Sequence, residues 1–178
     1  IKRKSPVEFD QKPARTESRN GWTIALEYDN EGNGPHVMDL SHLPRWDVRD
    51  SALDSIEPAG GTIPQTPGEC ILSDGILINR MNRTQAAVWH LLADTDGMPA
   101  ESPFTGVTEA TLFLAIVGTE AFSIAEKLSA LDFRDPQKTP PFLSQGPLSH
   151  VPCQLVTLSR DAENSGLLFT CSRGYARD

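Results

Sequence analysis

Asp39, Ser41 and His42 fall within four positions of one another in "DLSHLPRWDV", residues 39–48. Their types are those of a hydrolytic triad, in which an imidazole takes the hydroxyl proton and a carboxylate holds the imidazole. Spacing opposes that chemistry: triad members so close in sequence rarely reach the required geometry, and Ser41 and His42 would leave a strand on opposite faces. Two other readings stand beside it. Asp39 and Ser41 would bond to nearby backbone amides and hold a strand end, or the segment would border a ligand cavity or a subunit contact.

Two basic corners form a second candidate. Arg80, Asn82 and Arg83 make one, and Arg173 and Arg177 make its counterpart near the other end of the chain. Guanidinium groups near a helix N-terminus suit a carboxylate or phosphate, such as the acidic tail of a folate or an acidic segment of a partner. The competing expectation is arginines that are solvated or paired with local carboxylates. His36, His90 and His150 lack ligand spacing with any Cys or carboxylate pair, so no metal site is expected. Trp22, Trp46 and Trp89 are expected as core or interface anchors. The "PAGGT" run lacks the Lys-Ser/Thr ending of a phosphate-cradling loop.

Composition limits the partners. Against 16 Lys+Arg stand 24 Asp+Glu, a formal charge of −8 in 178 residues, which opposes binding to nucleic acid and to anionic membrane surfaces. Cys70, Cys153 and Cys171 are widely spaced without a Cys-x-x-Cys pattern, so a reducing, cytoplasmic setting with inert packing cysteines is expected. No apolar stretch reaches the roughly 18 residues of a membrane span, and "IKRKSPVEFD" leads into no apolar signal core. The first residue, Ile1, and the final "SRGYARD", where a helix is expected to begin at Tyr175, read as cut ends.

The elements that must position these residues follow from periodicity. Residues 1–20 are polar and aperiodic, an arm that is disordered or laid against a partner. "WTIALEY" (22–28) alternates as a half-buried strand, and the turn residues Asn30–Pro35 link it to a partner strand that ends in the Asp39 segment. Asp50 or Ser51 caps a short helix over "SALDSI", and a Pro/Gly-rich connector occupies 57–68. Asp74-Gly75 in "ECILSDGILIN" makes a primed hairpin turn. A helix is expected over "NRTQAAVWHLL" (82–92), then a loop over 94–106. "TLFLAIV" (111–117) reads as a strand buried on both faces, and Thr119 caps a helix over "EAFSIAEKLSAL". After a Pro-rich connector at 136–147, "CQLVTLS" and "GLLFTCS" form a strand pair across the loop 160–166.

Order and punctuation repeat. "RWDVRDSALDSI" leads from strand to helix as "LAIVGTEAFSIAEKL" does, and "GILINRMNRTQ" is similar to "GLLFTCSRGYA". The predicted fold class is α+β: a polar arm at 1–20, then one domain over 21–178. That domain comprises two half-units, 21–98 and 107–178, each reading strand, helix, connector, strand, turn, strand, helix.

"DLSHLPRWDVRDSALDSI" resembles the early segment of the aminomethyltransferase fold of the glycine cleavage T-protein. "TLFLAIVGTEAFSIAEKLSALDF", "PLSHVPCQLVTLSR" and "GLLFTCSRGYARD" resemble the same fold, most of all the gamma subunit of heterotetrameric sarcosine oxidase. The motifs are scattered over residues 21–178. The resemblance implies tetrahydrofolate-linked one-carbon chemistry and a larger flavin- or folate-binding partner subunit. Full-length T-protein-like enzymes are longer and place a carboxylate after a Gly-rich hairpin; here Asp74 lies inside the turn and is followed by the apolar "ILI". The implied role is a small accessory subunit that contributes an interface and a shared ligand cavity. The alternative is a stand-alone tetrahydrofolate-dependent enzyme with Asp39 as proton acceptor.

Overall fold

Tight turns with left-handed backbone join two of the hairpins of the N-terminal half. A computed structural model describes residues 2–92, 99–161 and 164–177. Asn20 and Gly21, at φ 49° and 84°, join strand β1 (Pro13–Arg19) to β2 (Trp22–Tyr28), an antiparallel pair that stands as its own two-stranded sheet. Seven residues of the expected arm are therefore strand. The alternation in β2 works as its sequence predicts at Trp22 and Ile24, which are buried. Its partner, however, is β1. Strand β3 (His36–Asp39), across the turn-rich loop, pairs with a distant strand instead.

The remaining strands form two five-stranded sheets. The first half supplies β4 (Arg45–Arg49), β5 (Cys70–Ser73), β6 (Ile76–Arg80) and β7 (Gln85–His90), and β8 (Phe104–Gly106) follows. The second half supplies β9 (Thr111–Val117), helix α1 (Ala121–Leu128), β10 (Phe142–Leu148), β11 (Val151–Ser159) and β12 (Gly166–Ser172). One sheet runs β5-β6-β7-β4-β8 and the other β10-β11-β12-β9-β3. The two orders correspond strand for strand, and each sheet takes its last strand from the segment that precedes the first strand of the other. β3 precedes β4 yet pairs with β9; β8 precedes β9 yet pairs with β4.

This arrangement corrects the expected half-unit. Each sheet comprises a strand, a helical turn, a connector and three further strands, so the counterpart of β6 is β11, not β12. The expected helix over 82–92 is replaced by β7. Asn82 does not cap a helix; its side-chain oxygen accepts the Thr84 N–H at 2.9 Å and closes a turn from β6. Ala86 through His90 are then buried on both faces, with Ala87 and Trp89 against the other sheet and Ala86 and Val88 outward. Strand pairing overrides the helix preference of the two alanines. "SALDSI" makes only a 3-10 turn, Leu53–Ser55, and the terminal helix is a 3-10 turn, Arg173–Tyr175. Within the expected loop over 94–106, residues 94–98 lie outside the described residues and 104–106 form β8. The half-unit ends at 98 and 178 likewise fall outside the described residues, as do 162–163 in the loop before β12.

Other expectations match. Asp74 and Gly75 turn between β5 and β6 at φ 50° and 76°, and a Cβ on Gly75 would meet the Leu92 side chain at 2.4 Å. "TLFLAIV" is β9, buried on both faces, and "CQLVTLS" and "GLLFTCS" lie in β11 and β12. Helix α1 begins one residue beyond Glu120 with no side-chain cap from Thr119, and it buries Ala121, Phe122 and Ala125 while Leu128 remains exposed. It is the one α-helix among the described residues, so the fold is mostly β. None of the described helices is long and apolar enough to cross a membrane.

The core has layers. Leu112, Leu114 and Ile116 of β9 face α1 together with Leu155, Leu167 and Phe169. Phe113 and Ala115, on the opposite face of β9, meet Trp89, Ala87 and Leu77 between the sheets. Val48, Ile78 and Val88 pack under the 3-10 turn at Leu53. Alternation along each strand thus fills two interfaces at once.

Arg45 holds the crossing of the two halves. It is fully buried at the start of β4, and its guanidinium donates to the carbonyls of Leu43 at 2.6 Å, Thr108 at 2.9 Å and Thr111 at 3.2 Å, and to the Thr111 hydroxyl. It also lies over the Phe113 ring, 5.0 Å from the centroid. Arg45→Met is expected to lower unfolding free energy by about 3 kcal/mol, because several buried carbonyls lose their donor. The reading is a reduced urea midpoint with an unchanged denaturant slope.

Candidate functional site

Strand β3 is an edge strand of its sheet, and the β1–β2 hairpin and segment 4–13 lie beside it. Between them is a cavity of about 640 Å³. Trp22, Ile24, Val37 and Met38 supply its apolar surface, and Tyr28, Glu31, Asp39 and His42 much of its polar surface. The N-terminal segment is tied down by the Arg3 amide, which donates to the Gly21 carbonyl at 2.8 Å, and by the Arg3–Glu109 ion pair at 2.8 Å.

Asp39, Ser41 and His42 part company at the end of β3. The Ser41 amide donates to Asp39 Oδ1 at 2.9 Å, a local turn bond of the kind a strand end uses. The Ser41 side chain is fully buried; its hydroxyl oxygen accepts the Phe113 N–H at 3.0 Å and lies 3.4 Å from the Phe113 carbonyl. That hydroxyl replaces a strand partner for β9 and does not line this cavity. Asp39 and His42 do border the cavity, and Ser41 does not. A Ser-His-Asp relay is absent from this geometry.

Electrostatics follow from partial burial. Desolvation lowers the His42 imidazole below its ordinary value; the Asp39 charge opposes this, and Arg19 and Arg45 add to it. Desolvation raises the Tyr28 phenol, with Asp39 and Glu31 contributing in the same direction. Tyr28, Asp39 and Glu31 thus share one negative region of the wall. Burial pushes Arg45 down to about 10, which leaves it charged at neutral pH. His90, fully buried against the Trp46 ring with 5.1 Å between centroids, is also lowered by desolvation.

The arginine corners lie elsewhere. Arg80 is buried on the outer face of its sheet, pairs with Asp54, and donates to the carbonyls of Pro64, Asn82 and Arg83 at 3.1, 2.9 and 3.0 Å. Its guanidinium shapes the turn, so Asn82 and Arg83 are the exposed members of that corner. Arg173 donates to the Lys4 carbonyl at 3.1 Å and joins the C-terminal turn to the N-terminal segment; Arg177 is exposed near Glu8. Neither corner lines the cavity, and the two do not meet. Among the described residues no group of three His, Cys, Asp or Glu side chains is placed to hold a metal.

Residue types alone missed Phe9, Tyr28 and Glu31, which stand in the cavity wall. Asn20-Gly21 was the available signal, since a hairpin there brings Tyr28 and the N-terminal segment to one place.

No protein-family model matches the sequence, and no curated protein matches it. Solved structures share its fold, among them the two that follow. One is a heterotetrameric sarcosine oxidase from Corynebacterium sp. U-96 in complex with pyrrole 2-carboxylate. It is 9% identical over 83% of this chain and 82% of that chain, with a TM-score of 0.61. The other is the glycine cleavage system aminomethyltransferase T from Bartonella henselae, 13% identical over 92% of this chain and 51% of that chain, with a TM-score of 0.60. The chain therefore spans about half the length of that aminomethyltransferase.

Ser41 is expected to remain unlabelled by a fluorophosphonate in the folded protein, with mass spectrometry as the reading. For His42, the unfolded chain takes up its proton first as pH falls below about 6.5. The stabilisation is full above that value and lost as pH falls toward the depressed folded value. Between about pH 8 and about pH 5 the urea midpoint should fall less in His42→Asn than in the wild type.

Proposed function

We propose that this chain is a small accessory subunit of a folate-linked assembly of the sarcosine oxidase or methyltransferase kind, working in a reducing cytoplasm beside a larger flavin- or folate-binding subunit. The observation that carries the reading is the shared fold. The chain is coextensive with most of a chain from a heterotetrameric sarcosine oxidase but with about half of an aminomethyltransferase. The gamma subunit is the specific counterpart we favour, on the resemblance of residues 111–178.

Two features of the chain agree with a supporting role. Ser41 is consumed by the backbone of β9, and Asp74 sits exposed in a hairpin turn. Exposed apolar side chains at Ile71, Leu72 and Leu92, around the β5–β6 hairpin, suit a contact with another chain. Asn82, Arg83, Arg173 and Arg177 would meet acidic groups of that partner or of a folate it holds. Arg80 would keep the turn that presents Arg83.

The second reading, a stand-alone tetrahydrofolate-dependent enzyme, is favoured by one observation: Asp39 borders a cavity large enough for part of a folate. Calorimetric titration of the isolated chain with tetrahydrofolate, joined to an assay of one-carbon transfer from an N-methyl amine, separates the two. No turnover is expected. Saturable folate binding with turnover would overturn the accessory role.

A further inference from the structure

The cavity beside β3 has an unbalanced wall. Besides the imidazoles of His36 and His42, its charged side chains are one cation, Lys4, and three anions, Glu8, Glu31 and Asp39. Lys4 is paired with Glu8, one helical turn's spacing away in sequence. Glu31 and Asp39 make no ion pair among the described residues. Each is instead oriented by one backbone donor: the Tyr28 amide reaches Glu31 Oε1 at 2.8 Å, and the Ser41 amide reaches Asp39 Oδ1 at 2.9 Å. Their other oxygens make no hydrogen bond among the described residues.

Aromatic groups complete the chemistry. Phe9 and Tyr28 meet edge to face, with centroids 5.7 Å apart and planes at 88°, and Trp22 stands buried in the same wall. A ring face attracts a cation, and more strongly where water is partly excluded. The volume of about 640 Å³ falls within the range of small-molecule sites. An anion would face the carboxylates of Glu31 and Asp39, the latter sensed by the buried Arg45, and the negative faces of the rings. A neutral apolar molecule would leave both carboxylates facing a poorly solvated surface.

We propose that this cavity binds a small organic cation, an ammonium or alkylated ammonium on an apolar body, with Asp39 and Glu31 taking the charge and Phe9, Trp22 and Tyr28 the body. The inference goes beyond the accessory-subunit reading and does not depend on it, since it concerns groups of this chain alone. It also separates the cavity from any folate, whose acidic tail the wall repels.

The test is calorimetry on the full chain with three probes of one shape: benzylammonium, benzyl alcohol and benzoate. Saturable binding of benzylammonium is expected, with weaker binding of the alcohol and none of benzoate. Asp39→Asn and Glu31→Gln retain the acceptor for the backbone donor and remove the charge; each is expected to weaken benzylammonium by about fivefold, with the urea midpoint near that of the wild type. Benzylammonium affinity unchanged in the double variant, benzoate or the alcohol binding as tightly as the ammonium, or no saturable binding of benzylammonium would each overturn the proposal.

Discussion

A buried cation whose side-chain hydrogen bonds, among the described residues, go to backbone and hydroxyl oxygens joins the two halves of this protein. Arg45 opens β4, and the segment its guanidinium grips, Thr108 to Thr111, leads into β9. Ser41, four residues earlier, is bound from the other side by Phe113 of β9. The Val107 amide donates to the Arg45 carbonyl at 2.9 Å and the Leu40 amide to the Phe113 carbonyl at 2.8 Å, so the two crossing segments bond to each other in both directions. Each segment delivers an edge strand to the opposite sheet. The chain could not exchange β3 and β8 without this joint, because the polar groups of both crossings are removed from water.

The cavity is a consequence of that exchange. β3 lies on the rim of the second-half sheet, and its exposed Val37 and Met38 need a neighbour. The β1–β2 hairpin and the segment before it supply one without pairing to β3 as a strand, which leaves space between them. Asp39 thus has two roles: one oxygen closes the turn into Ser41, and its charge faces the cavity. The Asp-x-Ser-His segment is a joint whose outer side forms part of a binding wall.

Strong local chemistry was legible in the sequence. Asp74-Gly75 specified the β5–β6 hairpin, and the unbroken run "TLFLAIV" specified a strand covered on both faces. The recurrence of strand, helical turn and Pro-rich connector was visible at "RWDVRDSALDSI" and "LAIVGTEAFSIAEKL". Long-range effects were not legible. "QAAVWH" has the spacing of a helix, and only pairing on both sides, with β6 and β4, makes it a strand. β3 and β8 are four and three residues long, too short for periodicity to register. The role of Arg45 had no local signal, because nothing nearby in sequence announces the carbonyls of residues 108 and 111. Asp39 and His42 were found by their types, yet the partners that give them a site, Phe9, Tyr28 and Glu31, come from three separate segments. Asn20-Gly21 was a readable hairpin signal that the polar composition of residues 1–20 obscured.

Residues 39–45 form a structural joint between the sheets and not a mobile catalytic loop. Native-state amide hydrogen exchange at Leu40, Val107 and Phe113, followed across low denaturant concentrations, tests it most directly. These three amides are expected to exchange only through global unfolding, with the same denaturant dependence as Leu155 in the centre of β11. Exchange through local opening, insensitive to denaturant while Leu155 stays protected, would contradict it.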